Sequence, residues 1–310
     1  MKSEKNYPLV SVIIPTYGRA SFLDKSIDSV LGQTYPEIEI LVVDDNNPGS
    51  ESRAETSATM SRYEGDPRVR YIRHKENRNG SAARNTGWRA SSGKYLAYLD
   101  DDDVFLPEKI SKCVETLEAL DEGYGVCYSA FIIKKPNGTA EKSGETRSGN
   151  CYLQALMRTF FIGASSNLFL KKSVVDEIGG FDESFQRNQD IEFLARALEN
   201  HKIAYIDETL IEIRQAGTRT QRSFKTIDGY AKYYLEKFAP RIDKLDKKDK
   251  KRVISVISLE RCRVAVSKKK PFSGLKILFQ NRVTPLYVFR YIRYIFRRLR
   301  TKTSVGFDGK

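Results

Sequence analysis

Four cysteines, two histidines and one tryptophan in 310 residues leave little room for several chemistries. Cys113, Cys127, Cys151 and Cys262 are scattered, with no CxxC pair and no histidine cluster beside them, so neither a disulfide framework nor a zinc site is indicated. Ordinary reduced core thiols are expected. No apolar run reaches the roughly 18 residues that a spanning helix needs. The opening MKSEKNYPLV lacks the apolar stretch of a signal peptide, which sets the expectation of a cytoplasmic start. A Walker A loop and a GxGxxG fingerprint are both missing, and ATPase and dehydrogenase readings lose support with them.

What the chain does have is a core. Forty per cent hydrophobic and 11% aromatic residues exclude disorder throughout, and the length suits one large domain or a domain with an appendage. The net charge of +13 is unevenly placed. Residues 231–310 carry 23 Lys+Arg against 6 Asp+Glu, which leaves 30 against 34 in the first 230. A mildly acidic body with a basic end is not a uniformly nucleic-acid-binding protein.

Over the first 110 residues strand and helix signals alternate. The β-branched run 9–14, the run 38–43 and the segments 69–72 and 95–99 read as strands. Between them, residues 22–31 show helical spacing with Ser21 or Asp24 near the cap, 51–63 reads as a polar helix, and Asn79-Gly80-Ser81 opens a third. This βαβ order predicts a parallel, doubly wound sheet with ligand groups at the carboxyl ends of its strands. Further on, a helix from Pro107 to about Leu120, a strand over 125–133, a hairpin turn at 134–139, a short strand at 168–170 and a helix over 190–199 predict a mixed-sheet extension. Residues 214–223 have no apolar face and read as a mobile loop, and from about 226 the chain is helical and basic.

Asp100, Asp101, Asp102 and Asp103 end an apolar strand, where four carboxylates repel one another and folding does not demand them. Hard oxygen donors in this density suit Mg²⁺ or Mn²⁺; the competing reading is a solvated acidic turn. Asp44-Asp45 closes the second strand, where a carboxylate accepts from a base or ribose donor or simply makes a turn with Asn46 and Asn47. Pro15-Thr16-Tyr17 lies beside it, with a ring that either stacks on a nucleobase or packs at a core rim. The helix opening at Asn79 offers N–H groups to an anion, with Arg84 one turn in. Asp190 stands at a helix start, a routine place for a cap. His74 and His201 have no carboxylate or histidine company in the sequence and receive no role; Trp88 reads as packing.

The order of these motifs resembles the inverting, metal-dependent glycosyltransferases of family 2. The matching pieces are residues 10–17, 26–34, 41–46, 79–85 and 93–103 running into Pro107, followed by Gly179-Gly180-Phe181-Asp182-Glu183, residues 189–193 and Arg196. The likeness covers roughly residues 8–225. It implies a GT-A fold, a Rossmann-like nucleotide-binding half with a mixed central sheet, as a catalytic domain over 1–225, with a basic helical region over 226–310. It further implies Pro15, Thr16 and Tyr17 around a uridine, Asp45 on the uracil ring nitrogen, Asp100 or Asp101 towards ribose and sugar, Asp102 as the direct ligand of Mn²⁺ or Mg²⁺, and Asp190 as catalytic base. Gln189 stands where the family often has glutamate, a departure that touches the neighbour of the base. Gly179 to Asp182 reads as a turn before the catalytic helix. The loop Arg214 to Arg222 lies where such enzymes often close on the diphosphate.

In the basic end, Arg290, Arg293, Arg297 and Arg300 share one helical stripe beside an apolar face of Leu286, Phe289, Ile292, Phe296 and Leu299. Such a pattern suits a helix over 283–300 lying on an anionic membrane surface; docking on the catalytic domain or on a second subunit is the other reading. The expectation is a cytoplasmic enzyme, peripheral on the inner face of the cell membrane. It would use a nucleotide-sugar, UDP-linked, and a glycan or polyprenyl-linked oligosaccharide acceptor in bacterial surface polysaccharide or capsule assembly. Nucleic acid is not expected and a homo-oligomer stays open. A sugar nucleotidyltransferase should carry a glycine-rich basic loop after the first strand, and residues 15–20 are not one. An inactive scaffold that binds membrane or nucleic acid has the intact Asp45, Asp102 and Asp190 set against it.

Overall fold

The computed structural model describes residues 7–214, 222–301 and 305–309. Of the loop expected over 214–223, positions 215–221 lie outside them. The elements run β1 (Val10–Thr16), α1 (Ala20–Leu31), β2 (Ile38–Asp44), α2 (Glu51–Met60), β3 (Val69–Arg73), α3 (Gly80–Ala90), β4 (Tyr95–Tyr98), β5 (Val104–Phe105) and α4 (Lys109–Ala119). There follow β6 (Tyr124–Lys134), β7 (Ala140–Lys142), α5 (Tyr152–Leu156), β8 (Phe169–Lys171), α6 (Lys172–Ile178), α7 (Gln189–Asn200) and β9 (Lys202–Arg214). The last four helices are α8 (Phe224–Asp243), α9 (Lys247–Ser267), α10 (Pro271–Gln280) and α11 (Pro285–Thr301). Two compact units result: Met1–Asn150 with Ile162–Gly217, and Cys151–Phe161 with Thr218–Lys310.

The first unit is built on one mixed sheet in the order β3-β2-β1-β4-β8-β6-β9-β5, with β7 paired to β6. β3, β2, β1 and β4 are parallel, as the βαβ order predicts, and β8 turns the sheet antiparallel. Every residue of β1 is buried, which a strand covered on both faces requires. Val10, Val12 and Ile14 pack with Leu23, Ile27 and Val30 of α1. On the opposite side α3 comes so close that a Cβ on Gly87 would overlap Ile13. The hairpin expected at 134–139 joins β6 and β7.

Two features differ from the sequence expectation. β9, the longest strand at 13 residues, runs parallel to β6 and had no counterpart in it. Its pairing shifts register between Ser129 and Ala130 and between Ala130 and Phe131, so its apolar residues do not keep a clean alternation. Secondly, α1 is capped at Arg19 without a side-chain cap bond, not at Ser21 or Asp24. The side chain of Arg19 is engaged elsewhere, as described below.

The second unit is helical. Val253, Val256, Ile257 and Leu259 of α9 are buried in it, and the buried Arg261 of α9 donates to Asp228 of α8 at 2.7 Å. Tyr234 stacks on Phe238, and its hydroxyl donates to the Leu156 carbonyl at 3.1 Å. Tyr291 and Tyr294 turn the inner side of α11 towards Glu260 and Phe307. Cys113, Cys127 and Cys151 are buried and Cys262 is half-buried, all four as reduced thiols.

The close approach of α3 to β1 gives a direct test. Gly87→Ala is expected to destabilise the protein by about 1–3 kcal/mol through overpacking against Ile13, read as a lower denaturation midpoint at unchanged m-value.

Candidate active site

Parallel strands bring their carboxyl ends together, and the sheet order reverses direction at β1. Thr16 lies in register with Asp44, the Asp45 amide donates to the Thr16 carbonyl at 3.0 Å, and the Leu99 amide donates to the Ile13 carbonyl at 3.0 Å. Tyr17, Asp45 and Asp100 to Asp102 therefore gather at the carboxyl end of the sheet. Tyr17 is 57% exposed and its ring is free of the core, whereas Pro15 and Thr16 are buried.

The four aspartates have distinct surroundings. Asp100 accepts from Arg84 Nη2 at 2.5 Å and from the Ser165 hydroxyl at 3.1 Å. Asp101 accepts from the Thr16 hydroxyl at 2.8 Å and the Tyr17 amide at 3.3 Å. Asp102 pairs with Arg19 Nη1 at 2.8 Å, and the same nitrogen reaches Asp101 at 3.4 Å. Asp103 points the other way, accepting from the Ser166 hydroxyl at 2.5 Å and the Arg214 amide at 2.9 Å. Burial raises the Asp101 carboxyl to about 7, against the pull of Arg19 and Thr16. Burial likewise raises Asp102, with Arg19 opposing. Asp103 is pushed well up by burial, and the like charge of Asp100 adds to it. The site is short of positive charge.

Asp45 is more fully engaged than its sequence position suggests. Its Oδ1 faces His74 Nδ1 at 2.7 Å and accepts from the Arg78 amide at 2.8 Å. Its Oδ2 accepts from Asn77 Nδ2 at 2.9 Å and the Asn79 amide at 2.8 Å. Four partners fill the lone pairs of a carboxylate. His74, given no role from the sequence, is thus buried between Asp45 and the Thr86 hydroxyl, which lies 2.8 Å from its Nε2. The start of α3 is similarly occupied: Asn79 Oδ1 accepts from the Ser81 and Ala82 amides at 2.9 and 3.2 Å. The N–H groups expected to meet an anion there are capped by the chain itself.

Arg84 connects the strand ends to the helix that carries Asp190. Its Nη2 holds Asp100 and its Nη1 donates to Gln189 Oε1 at 3.4 Å, while Gln189 Nε2 donates to the Phe185 carbonyl at 2.8 Å. Asp190 lies in the first turn of α7, half-buried, and burial raises its carboxyl despite the Ile191 amide and Arg84. The 178–183 segment is a structural turn, as expected. Gly179 and Gly180 have φ of +73° and +76°, and a Cβ on Gly180 would lie 2.7 Å from the Trp88 ring. Asn85 Nδ2 donates to the Phe181 carbonyl and Oδ1 accepts from the Phe181 amide, at 2.9 and 2.8 Å. Arg196 donates to the Ile178 and Gly180 carbonyls. Trp88 packs there and donates to Asp176 at 2.8 Å.

Arg19, His74, Asn77, Ser165 and Ser166 are the contributors that sequence reasoning missed. Arg19 and the two serines reach residues 63 or more positions away, and no local pattern marks them. His74 and Asn77 did lie within a short distance of the Asn79 motif, which is the signal that could have found them.

Comparison with known proteins gives the family and the fold. The family described as Glycosyl transferase family 2 matches residues 11–179. An uncharacterized glycosyltransferase of Rickettsia felis is 34% identical over 213 residues, covering 67% of this chain and 34% of that protein. The chain thus matches only about a third of that relative's length. The uncharacterized glycosyltransferase RP339 of Rickettsia prowazekii is 31% identical, with 74% of this chain and 71% of that protein covered. Residues 1–349 of TarS from S. aureus superpose with a TM-score of 0.64 at 17% identity, over 84% of this chain and 73% of that one. The mannosyltransferase PcManGT of Pyrobaculum calidifontis, in complex with GDP-Man and Mn²⁺, gives 0.60 at 16% identity, over 97% and 84%. At these identities the likeness is one of fold, and the fold is GT-A.

Replacing Asp45 with asparagine turns one acceptor oxygen into a donor that faces other donors. Asp45→Asn is expected to destabilise the protein by about 1–3 kcal/mol, the cost of leaving buried polar groups unpaired. The loss is readable as a lower midpoint of thermal unfolding.

Proposed function

Because the chain belongs to glycosyl transferase family 2, we propose that it moves a sugar from a UDP-linked donor to a hydroxyl of a glycan or lipid-linked oligosaccharide, with inversion at the anomeric carbon. The observation that carries this reading is the linked set Asp100–Arg84–Gln189, which joins the acidic strand end to the helix bearing Asp190. A structure of TarS in complex with UDP-GlcNAc, similar to this chain at a TM-score of 0.63, supports the uridine donor.

The catalytic part is residues 1–225, with 226–310 as its basic helical end. Tyr17 offers its exposed ring to the base, bordered by Pro15 and Thr16. Asp45 holds residues 77–79 in place, and it reaches the ring nitrogen of uracil by exchanging its Asn77 partner for that donor. Asp101, Asp100 and Arg84 line the ribose, sugar and diphosphate side. The residues present suit a divalent ion: the donors are hard oxygens, and burial of Asp102 makes added positive charge favourable. Among the described residues no three His, Cys, Asp or Glu side chains form a cage. Asp102 with the donor's own phosphates would therefore hold Mn²⁺ or Mg²⁺, which when bound offsets charge on the departing β-phosphate.

Asp190 takes the proton of the acceptor hydroxyl as the new oxygen–carbon bond forms and the bond to the β-phosphate oxygen breaks. One displacement with one base gives inversion; a double displacement needs a nucleophilic carboxylate as well. The natural setting is assembly of bacterial surface polysaccharide at the inner membrane face, with α11 against anionic lipid. In support, Leu286, Phe289, Ile292, Phe296 and Leu299 are all exposed, and no helix of the described residues is long and apolar enough to cross a membrane.

Calorimetric titration of UDP is expected to show binding with Mn²⁺ that EDTA abolishes and Asp102→Ala weakens. Asp190→Asn should lower transfer about 10²–10⁴-fold while leaving UDP binding intact; activity equal to wild type removes the base assignment. Since the raised Asp190 carboxyl is neutral and useless as a base below its pKa, the acid limb of the rate profile should fall above the ordinary aspartate value of about 3.9.

A further inference from the structure

We infer that membrane attachment is bipartite, with α10 inserting its own apolar face into an anionic bilayer surface alongside α11. This rests on the proposed membrane contact of α11 and extends it to a helix that showed no such signal in the sequence.

α10 has two unlike sides. Gly274 and Ile277 are buried, and a Cβ on Gly274 would lie 2.9 Å from Cys262 Sγ, so this side is committed to α9. Phe272, Leu275 and Phe279, spaced i, i+3 and i+7, form the other side and are 85%, 60% and 86% exposed. Two phenylalanines almost wholly in water on a ten-residue helix is an arrangement that folding of this unit does not call for. On α11 the inner side is likewise committed through Tyr291 and Tyr294, and Phe289 and Phe296 are 65% and 69% exposed.

Charge selects the occupant. Residues 268–300 contain ten Lys and Arg, and no Asp or Glu occurs between Arg261 and Gly306. Lys268, Lys269 and Lys270 precede α10, Lys276 lies on it and Arg282 follows it. A second copy docking through this face would set one uncompensated positive surface against another. A nucleic-acid duplex, with its bases already stacked, would use the cations and leave the phenylalanines in water. An anionic bilayer accepts both at once, the rings below the headgroups and the cations among them. Binding of such helices scales with the apolar area they bury and with their attraction to anionic lipid, and a second inserted helix adds to both.

The test is co-sedimentation of the full chain with vesicles of phosphatidylcholine alone or mixed with phosphatidylglycerol. Wild type should pellet with the anionic vesicles only. Phe272→Ser/Phe279→Ser and Phe289→Ser/Phe296→Ser should each lower the partition coefficient about tenfold or more, with UDP binding and the unfolding midpoint unchanged because all four side chains are exposed. Wild-type partitioning by the α10 pair, with loss in the α11 pair, overturns the inference and leaves the α11 contact standing. If wild type ignores anionic vesicles, both fall. A dimer in sedimentation equilibrium that the α10 substitutions dissolve assigns the face to a second copy and overturns the inference as well.

Discussion

Four carboxylates crowded at the end of β4 are the constraint around which the first unit is arranged. In a partly buried setting their mutual repulsion and lost hydration would disfavour the fold unless each is answered. The answers come from four separate stretches of chain. Thr16 and Arg19 reach from the end of β1, Arg84 from α3, Ser165 and Ser166 from the turn before β8, and the Arg214 amide from the end of β9. Each of these groups ties an element of the sheet or its flanking helices to the same few atoms. The acidic cluster thus serves the architecture as well as any ligand, and the two uses are divided among its members. Asp103 faces inward to a hydroxyl and an amide, whereas Asp102, among the described residues, is met by the long side chain of Arg19.

That division explains what could be read from the sequence. The parallel half of the sheet was legible because β1 and β2 are buried runs rich in valine and isoleucine, β4 is a short apolar run, and proline or aspartate stands at or just past the end of each. The motif order then supplied Asp45, Asp100 to Asp103 and Asp190 together. β9 was hidden by its register shifts against β6. The supporting shell was hidden for a different reason. Arg19 and the two serines are ordinary residues in local terms, and their importance is created by long-range contact alone. His74 shows the same effect, a histidine without company in the sequence that becomes the partner of Asp45 and Thr86 once β2, β3 and α3 are side by side.

The exposed side of α10 was illegible for yet another reason. Its periodicity is real, but Phe272, Leu275 and Phe279 share a broad apolar arc with Gly274, Ile277 and Leu278, more than half of the circumference, with Ser273, Lys276 and Gln280 on the rest. A helix of that kind reads as buried. Only the packing on α9 tells which apolar residues the protein uses and which it leaves to water.

The position before Asp190, the proposed base, is where a single departure from the family pattern has an electrostatic consequence. Gln189 accepts from Arg84 without carrying charge. A glutamate there would give Arg84 a second anionic partner, drawing it from Asp100, and would set a negative charge beside Asp190. Both changes favour the protonated form of Asp190, whose carboxyl burial already raises and Arg84 lowers. Glutamine keeps the link between α3 and α7 while leaving the guanidinium charge to Asp100 and Asp190. In this chain the neighbour of the proposed base holds the geometry, while the Ile191 amide and Arg84 together oppose the burial that raises its carboxyl.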